Sequence, residues 1–560
     1  MKRRIITLFL LLPVVVSAQD FETYNNQANQ ESKNKNYRRA VELCTQALSI
    51  KTNARSYLIR ADSYFSLVNY AAAMNDYRSA ITHYYDYYKA DNKEKGSTYY
   101  YLARCEQELG YYTDAINDFS NSLTYNYTET GFVYWNRGYV YYTLKKFKEA
   151  EEDYARAVSH ISNYELLSKI YRDRGDCQWK LGNYESSYAM FDRALSYNAD
   201  NYLVYWQKGY NKSIELKYEE SLTAYSRAIE IINKGTSAAS KSDLSVLYRN
   251  KALMFYYLDK KKEGLETINL SIDTDPNNAL AYKTRAQIYE ALGQYERAIR
   301  DYGNAILLYT ATKDMSETYR QRSLMYRAIL EYKNSLADIN KSIELDPAGG
   351  WNFQLRSTLY GYMKKFMPAI QDCNTALELY LNDSISTAAV LYARAGHKTN
   401  AGDYTGAKND YQLYIKYRPK AYMGYYELGR LFKKYLKNND LANANFAKGA
   451  EMAMAQKDTV QYCYTRLFSG DITESVHMML GIVERSAGNK YRYSWNLHNM
   501  ACFYSISGNT TKALDYLEKT LAAGFNDYPH LLNDRDLESL MKLPQWKTIL
   551  AKHKVPLPKL

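Results

Sequence analysis

Residues 285–302, RAQIYEALGQYERAIRDY, begin with an arginine, have an aspartate as the penultimate residue, and carry tyrosines at 289, 295 and 302. A similar sequence pattern recurs along most of the chain at intervals of about 34 residues. A period of this length indicates a repeat architecture, in which each unit buries its apolar face against its neighbours. Because the 560 residues of the chain are too many for one ordinary core, repetition also explains how so long a chain folds.

Small and aromatic residues recur at fixed places in the unit. With the first residue of each unit as position 1, position 8 is small: Ala28, Ala61, Ala103, Gly138, Gly175, Gly209, Ala252, Ala286, Ser323, Ser357, Ala395 and Gly429. Position 20 is small as well: Ala40, Ala73, Ala115, Ala150, Ser187, Ser221, Gly264, Ala298, Ser335, Ala369 and Ala407. Position 24 is mostly aromatic: Tyr77, Phe119, Tyr154, Phe191, Tyr225, Tyr302 and Tyr411. Proline, where present, stands at position 32: Pro276, Pro347 and Pro419.

This spacing predicts two antiparallel helices in each unit. Residues at positions 4, 8 and 11 share one face of the first helix, since residues three and four apart are neighbours on a helix surface. Small residues at positions 8 and 20 let the two axes approach, and the ring at position 24 fills the space beside them. Residues such as Leu292 and Gly293 supply the turn, and proline ends the second helix.

The pattern resembles the tetratricopeptide repeat, which has small residues at positions 8, 20 and 27, aromatic residues at 4, 11, 17 and 24, and proline at 32. The resemblance covers about thirteen units, which begin near residues 21, 54, 96, 131, 168, 202, 245, 279, 316, 350, 388, 422 and 494. It implies an all-α, right-handed superhelical solenoid with an inner groove that binds extended or helical segments of other proteins.

Breaks in the period divide the chain. We predict a signal peptide over residues 1–18, a repeat array of about twelve units over 19–455, an irregular helical connector or half-repeat over 456–493, and a last repeat with a C-terminal cap over 494–560. The cap is expected to cover the last exposed apolar face with Leu537, Leu540, Trp546 and Leu550.

The first residues have the pattern of an export signal. Lys2, Arg3 and Arg4 precede an apolar run over residues 5–16, and small residues follow at Ser17 and Ala18. The run is shorter than the roughly twenty residues that a membrane-spanning helix needs, which disfavours an uncleaved anchor. We therefore expect a bacterial protein that is exported to the periplasm or cell envelope, or secreted.

Position 7 is often arginine and position 23 aspartate. In six units both occur: Arg60 with Asp76, Arg137 with Asp153, Arg285 with Asp301, Arg322 with Asp338, Arg356 with Asp372, and Arg394 with Asp410. Each residue stands beside a small packing residue, so we interpret the twelve as charge-assisted pairs at the seam between helices. The alternative is a ladder of arginines that binds a ligand.

Catalytic motifs are not found in the sequence. It has no phosphate-binding loop and no nucleophile elbow, and its carboxylates and serines follow the repeat period. His498 and Cys502 stand four apart on one predicted helix face, but no further metal ligands occur at a matching spacing, so a packing role is predicted for them. The six cysteines are sparse and irregularly spaced, which favours buried thiols. We predict a protein that is not an enzyme and has no cofactor or metal.

The resemblance places the groove on the first helix of each unit, near positions 2, 5, 9 and 12. The residues predicted to bind a partner there are Tyr100, Arg104, Trp135, Tyr139, Tyr142, Trp179, Trp206, Tyr210, Arg249, Tyr256, Arg320, Arg327 and Arg430. Arg172, Lys283, Tyr392, Tyr426 and Lys433 share these positions. The first half of the groove is aromatic and the second half basic, and aromatic residues and arginine dominate protein interfaces. The alternative is that the rings only pack neighbouring units.

The function predicted is that of a scaffold or adaptor that binds a protein or peptide in this groove. The alternative is a glycan-binding receptor of the envelope, in which Trp135, Tyr139, Trp206 and Tyr210 stack on sugars. The net charge of +12 is dispersed without a basic block, so nucleic acid is not expected as a partner. No membrane span is expected after signal cleavage.

Overall fold

The computed structural model describes residues 18–87, 92–235, 239–380 and 383–558, and the regular structure in these ranges is helical throughout. The predicted signal peptide lies outside the described residues except for Ala18, which begins the first helix. No helix in the described ranges is both long and apolar enough to cross a membrane. The chain divides into two compact units, Met1–Ser240 and Lys241–Leu560.

The first unit contains six helix pairs in its described part. Its helices are α1 (Ala18–Lys33), α2 (Tyr37–Ile50), α3 (Ala54–Ser66), α4 (Tyr70–Tyr87), α5 (Asn92–Glu108), α6 (Tyr112–Thr124), α7 (Thr130–Thr143), α8 (Phe147–Val158), α9 (Tyr164–Lys180), α10 (Tyr184–Tyr197), α11 (Tyr202–Ile214) and α12 (Tyr218–Asn233).

The second unit contains eight pairs and a C-terminal extension. The pairs are formed by α13 (Lys241–Tyr257), α14 (Lys261–Thr274), α15 (Ala279–Ala291), α16 (Tyr295–Leu308), α17 (Thr312–Ala328), α18 (Tyr332–Leu345), α19 (Gly350–Tyr362), α20 (Phe366–Leu379), α21 (Ser384–Ala401), α22 (Tyr404–Tyr417), α23 (Tyr422–Lys434), α24 (Asn439–Ala455), α25 (Thr459–Ser469), α26 (Ile472–Arg485), α27 (Lys490–Ile506) and α28 (Thr510–Ala522). The extension comprises α29 (Tyr528–Leu531), a 3-10 helix (Arg535–Leu537), α30 (Glu538–Met541) and α31 (Pro544–Lys552).

Within each unit, successive helices pack on one another, so the predicted all-helical array of paired repeats is confirmed. The small residue at position 8 lies directly against the ring at position 24. A Cβ added to Gly175 would lie 2.6 Å from the Phe191 ring, and one added to Gly209 would lie 2.7 Å from the Tyr225 ring. Distances below about 3 Å leave no space for a methyl group, so alanine at Gly175 or Gly209 would require the facing ring or helix to move.

The turn between the paired helices needs a left-handed residue at position 15. Gly293 supplies it with φ +69°, but Leu216 takes the same place with φ +60°. A side chain in this region is strained by its own backbone, and glycine is not.

All six arginine–aspartate pairs form at the seam. In the unit that opened the sequence analysis, Arg285 Nε lies 2.7 Å from Asp301 Oδ2 and its Nη2 lies 2.8 Å from Asp301 Oδ1. The third nitrogen, Nη1, donates to Asn269 Oδ1 of the preceding repeat over 2.8 Å. The aspartate side chain is buried and the arginine is mostly so. Because all three of its guanidinium nitrogens donate within the protein, Arg285 holds adjacent helices together.

Residues 456–493, predicted as an irregular connector or half-repeat, contain the two helices α25 and α26, which pack on each other inside the second unit. Counted from residue 456, positions 8, 20 and 24 are Cys463, Ser475 and Met479, all buried. Methionine therefore replaces the usual ring, and this replacement hides the unit from a search by pattern.

The predicted cap residues Leu537, Leu540, Trp546 and Leu550 are buried in one apolar cluster with α27 and α28. Residues 527–536, which precede them, pack on other helices of the second unit. All six cysteines are buried.

Candidate functional site

The first helices of successive repeats in the first unit line a pocket with a volume of about 840 Å³, which we call the aromatic groove. It is lined by Gln107, Glu108, Tyr112, Trp135, Asn136, Tyr139, Tyr142, Tyr154, Arg172, Asp173, Asp176, Leu203, Trp206 and Gln207. These residues come from α5, α7, α9 and α11 with one ring each from α6 and α8. The volume is in the range of ligand-binding pockets.

Four of the predicted partner-binding rings meet in the aromatic groove: Trp135, Tyr139, Tyr142 and Trp206. Tyr139 is 51% exposed, so its ring is available to a ligand without rearrangement. Tyr210, one turn beyond Trp206 on α11, is 45% exposed. Rings that keep one face wet next to a pocket suit contact with a partner better than contact with a neighbouring helix.

Two aspartates on α9 fix two of these rings, Trp135 and Tyr142. Asp173 accepts hydrogen bonds from Trp135 Nε1 at 3.0 Å and from Arg172 Nη2 at 2.6 Å. Asp176 accepts from Gln207 Nε2 at 2.9 Å and from the Tyr142 hydroxyl. Because the bonds run between different repeats, the aspartates tie α7 and α11 to α9 and hold the groove in one shape.

Burial changes the electrostatics of this network. It raises the pKa of Asp176, although the hydrogen bond from Tyr142 works in the opposite direction. Burial, together with the neighbouring Asp176, raises the pKa of Tyr142, so that hydroxyl stays protonated and continues to donate. Three carboxylates (Glu108, Asp173, Asp176) line the groove against one guanidinium (Arg172), so the groove is acidic overall.

Two predicted groove residues are buried, which corrects their assignment. Tyr100 is 6% exposed and stacks on Tyr127, with 4.9 Å between ring centroids. Trp179 is 8% exposed and packs against Tyr184 at 4.5 Å. In both cases the ring packs against surrounding side chains instead of facing solvent, so we assign both residues to the packing of the repeats. Tyr426 is buried in the same way, between Tyr464 and Phe468.

The other predicted residues are partly exposed and lie outside the aromatic groove. Arg104 Nη1 lies 3.4 Å from the Tyr100 hydroxyl, and the guanidinium of Arg320 lies 5.9 Å from the centre of the Trp351 ring. Arg249, Tyr256 and Arg327 are each half-buried. Arg104 belongs to the first unit, and the other four belong to the second.

The chain's own C-terminal segment, residues 527–541, covers the predicted partner site around Arg430 in the second unit. Arg430 Nη2 donates to Asp536 Oδ1 at 2.7 Å, and Arg535 Nη2 donates to the carbonyl of Gly396 at 3.0 Å. Asp536, Arg430 and Glu427 therefore form a buried charge cluster. Arg430 was predicted to bind a partner, and the structure corrects this prediction. Its guanidinium forms ion pairs with Glu427 and Asp536 of the same chain.

Farther along, the same segment packs on apolar side chains. Tyr528 and Leu532 lie against the cluster of Leu330, Tyr332, Leu355 and Leu359. A second pocket, of about 610 Å³, is bounded partly by the segment, through His530, Leu532, Asp534 and Arg535, and partly by α19, α21 and α23. The C-terminal residues thus act on this face of the second unit as a bound peptide would, in addition to capping the last repeat.

Sequence reasoning missed His498 and Cys502 as members of this face. In the unit that begins at 494 they occupy positions 5 and 9, the same positions that were used to select the groove residues. These positions in the repeat were the sequence feature that could have placed both residues on this face. The partners that meet them, His530 and Asp534, lie on the C-terminal segment, where no repeat pattern applies.

Comparison with known proteins supports the identification of the repeats as tetratricopeptide repeats. Models described as tetratricopeptide repeat match residues 133–159, 166–201 and 268–300. A DnaJ homolog subfamily C member 7 homolog of Schizosaccharomyces pombe is 27% identical over 107 residues, 19% of this chain and 21% of that protein. Human tetratricopeptide repeat protein 6 is 23% identical over 36% of this chain and 37% of its own length. The chain thus spans less than half of these relatives.

Solved structures of similar type include two bacterial proteins. The C-terminal part of a repeat protein from Cytophaga hutchinsonii has a TM-score of 0.36 at 15% identity and covers 46% of this chain and 98% of its own. A tetratricopeptide repeat protein from Parabacteroides merdae has a TM-score of 0.36 at 16% identity, with coverages of 47% and 98%.

Proposed function

We propose that this chain, which carries tetratricopeptide repeats, is a non-enzymatic scaffold that binds a segment of a partner protein in the aromatic groove. The observation that carries the proposal is the groove itself. Four rings line a pocket of about 840 Å³, hydrogen bonds to two aspartates fix Trp135 and Tyr142, and Tyr139 is open to solvent. Rigid aromatic anchors beside a pocket are the features that dominate binding energy at protein interfaces.

The charge of the groove indicates what the partner segment presents. Glu108, Asp173 and Asp176 outnumber Arg172, whose guanidinium is already bonded to Asp173. A lysine or arginine side chain would find both a carboxylate and the face of Trp135 or Trp206, and a cation over a tryptophan ring is stabilised by about 0.5–2 kcal/mol. We therefore propose a partner segment with basic side chains, in place of the acidic partner that a basic groove would have selected.

This partner is expected to bind in a salt-dependent way. Charges that attract across a partly exposed groove are screened by added salt. A basic peptide should therefore bind less tightly as ionic strength rises, whereas stacking on Trp206 alone would change little.

A glycan is a second candidate ligand, and one observation favours it. The ring of Trp135 stands beside fixed hydrogen-bonding groups, the side chains of Asp173, Asn136 and Gln207, and hydroxyl-rich ligands need both an apolar face and polar groups held in place. Binding of a neutral oligosaccharide would be insensitive to salt. The two candidates are thus separated by the salt dependence of binding in one and the same groove.

The test uses peptide and oligosaccharide libraries on the purified chain, with tryptophan fluorescence as the readout. We expect selection of peptides that carry basic residues, and a loss of at least about tenfold in affinity in Trp206→Ala and in Asp176→Asn. Trp351→Ala is the matched control, because Trp351 is an exposed tryptophan of the second unit and is not among the residues that line the aromatic groove. Ligands that bind all of these variants equally would refute the groove as the binding site.

We also propose that the protein is exported, on the strength of residues 2–18. N-terminal sequencing of the protein from its native host should begin at Gln19. Recovery of the chain with its apolar leader from the cell interior would contradict export and leave the binding proposal standing.

A further inference from the structure

We propose that His498, Cys502, His530 and Asp534 form a binding site for a zinc-class divalent cation that fastens the C-terminal segment to α27. The inference is independent of the aromatic groove, which lies in the other unit. It rests on the positions, distances and surroundings of the four side chains.

The four residues come as two pairs with the same spacing. His498 and Cys502 lie one turn apart on α27, so both side chains point from one face of that helix. His530 lies in α29, and Asp534 caps the 3-10 helix that follows. The C-terminal segment brings its pair onto the α27 pair, so ligands 32 and 36 residues apart in sequence become neighbours.

The donor atoms of His498, His530 and Asp534 all lie within 4.8 Å of one another, and Cys502 Sγ lies close to two of them. Asp534 Oδ2 lies 2.9 Å from His498 Nε2, 3.4 Å from His530 Nε2 and 3.5 Å from Cys502 Sγ. Cys502 Sγ lies 3.7 Å from His498 Nε2. With zinc–ligand bonds of about 2.0–2.3 Å, tetrahedral geometry places neighbouring donors roughly 3.3–3.8 Å apart. Three of the four distances fall in this range, and the fourth, a hydrogen bond, would lengthen when a cation replaces its proton.

The surroundings orient the ligands. Asp534 uses its other oxygen, Oδ1, to accept the backbone N–H of Asp536 at 2.9 Å, which fixes the carboxylate and leaves Oδ2 directed at the three other donors. The ring of Phe525 stacks on His498 with centroids 5.0 Å apart. A hydrogen-bonded carboxylate and an apolar wall are the outer-shell features that hold metal ligands in place.

Burial and charge fit a cation with one open side. His498 is 1% exposed and Cys502 is buried, whereas the His530 side chain is 43% exposed and offers a path of entry. A cysteine binds a metal as its thiolate, so binding at Cys502 would release the thiol proton. The resulting thiolate and the Asp534 carboxylate would together neutralise a divalent cation.

The donor set selects the kind of metal. Two imidazoles, one thiolate and one carboxylate suit Zn²⁺ or a similar transition metal, and not Mg²⁺ or Ca²⁺, which require oxygen ligands. With no position left for water in the tetrahedron, the proposed role is structural. The cation would fix the segment that covers Arg430.

The test is titration of the full chain, first dialysed against a chelator, with Zn²⁺ by calorimetry and with Co²⁺ by its visible spectrum. We expect one cation per chain and a tetrahedral Co²⁺ spectrum with a thiolate contribution. His498→Ala and His530→Ala should each weaken binding about tenfold or more. Because His498 is buried and its variant is at risk of misfolding, His530→Ala, with its half-exposed side chain, carries the test. His477→Ala is the control, since His477 is exposed on α26.

Two results would overturn the proposal. One is the absence of saturable binding at one cation per chain in the wild-type protein. The other is equal affinity in the wild type and in His530→Ala with an unchanged melting temperature. Either would show that the four side chains form a hydrogen-bonded network only.

Discussion

Arg430 on α23 donates to Asp536 over 2.7 Å, although 106 residues separate the two in the chain. The ring faces of Tyr426 and Phe468 flank the guanidinium at 5.4 and 5.0 Å. An arginine between two aromatic rings with a carboxylate at its tip is the arrangement expected for a bound partner peptide. Here the chain supplies that peptide itself, which is why we place the partner site in the first unit.

The Arg430 pair should therefore stabilise the fold. Arg430→Ala leaves the buried carboxylate of Asp536 without its main partner, and breaking a buried ion pair costs about 3–5 kcal/mol. Urea denaturation followed by circular dichroism measures the loss. Lys434→Ala is the matched control. Lys434 is exposed and its ion pair with Glu538 is long, at 3.9 Å, so losing this pair should cost about 1 kcal/mol or less of folding stability. Equal midpoints for the two variants would contradict the proposed role of the segment.

The seam pairs predict a second stability effect that is separate from binding. Asp301→Ala leaves the mostly buried guanidinium of Arg285 without its carboxylate partner. We expect the free energy of unfolding to fall by about 3–5 kcal/mol with no change in ligand affinity. The control is Asp192→Ala, since Asp192 is exposed and also pairs with a cation sixteen residues away, Lys208. The control should cost about 1 kcal/mol or less. A ligand-binding ladder of arginines predicts the opposite outcome, lost affinity at an unchanged melting temperature.

The left-handed turn residue predicts a gain in stability. Leu216 has φ +60° and is 70% exposed, so Leu216→Gly removes backbone strain and gives up little packing. The expected gain is up to about 1 kcal/mol, seen as a higher midpoint in thermal denaturation. The control, Leu270→Gly, places glycine at an exposed position inside α14 and should lose about 1 kcal/mol. A lower midpoint for Leu216→Gly would show that its side chain packs more than its exposure indicates.

The sequence alone predicted the helix pairs because their contacts recur with the repeat. Gly175 contacts the ring of Phe191, sixteen residues later. A small residue followed by an aromatic residue at this spacing recurs in most units of the sequence. The burial of Tyr100 and Trp179 was not predicted, since positions 5 and 12 carry no rule that separates a ring facing the groove from one packed on a neighbour. That distinction depends on the sizes of adjacent side chains, such as Tyr127 and Tyr184.

The course of the C-terminal segment was also beyond prediction, for a different reason. The apolar residues Leu537 and Leu540 indicated a C-terminal cap, and both are buried as a cap requires. The contacts of Arg535 with Gly396 and of Asp534 with His498 join residues that share no period. Such contacts follow from where the last helix pair directs the chain, which only the folded structure shows.

His397 on α21 predicts a dependence of stability on pH. Burial and the charge of Arg535 lower the pKa of His397 to about 4, and its Nε2 has no hydrogen-bond partner among the described residues. In the unfolded chain its pKa is near 6.5. Between these values the unfolded state binds a proton that the folded state does not, so stability is complete above pH 6.5 and falls as the pH drops towards 4.

The difference between wild type and His397→Gln isolates this effect, since both proteins share every other titrating group. We expect the free energy of unfolding of the wild type to fall by about 2–3 kcal/mol more than that of the variant between pH 7 and pH 4. Urea denaturation in the presence of a chelator measures it, so that metal release does not contribute. His477→Gln should behave as the wild type, because His477 is exposed. Parallel pH profiles for wild type and His397→Gln would mean that His397 is protonated in the fold, with the segment at Arg535 displaced to admit water.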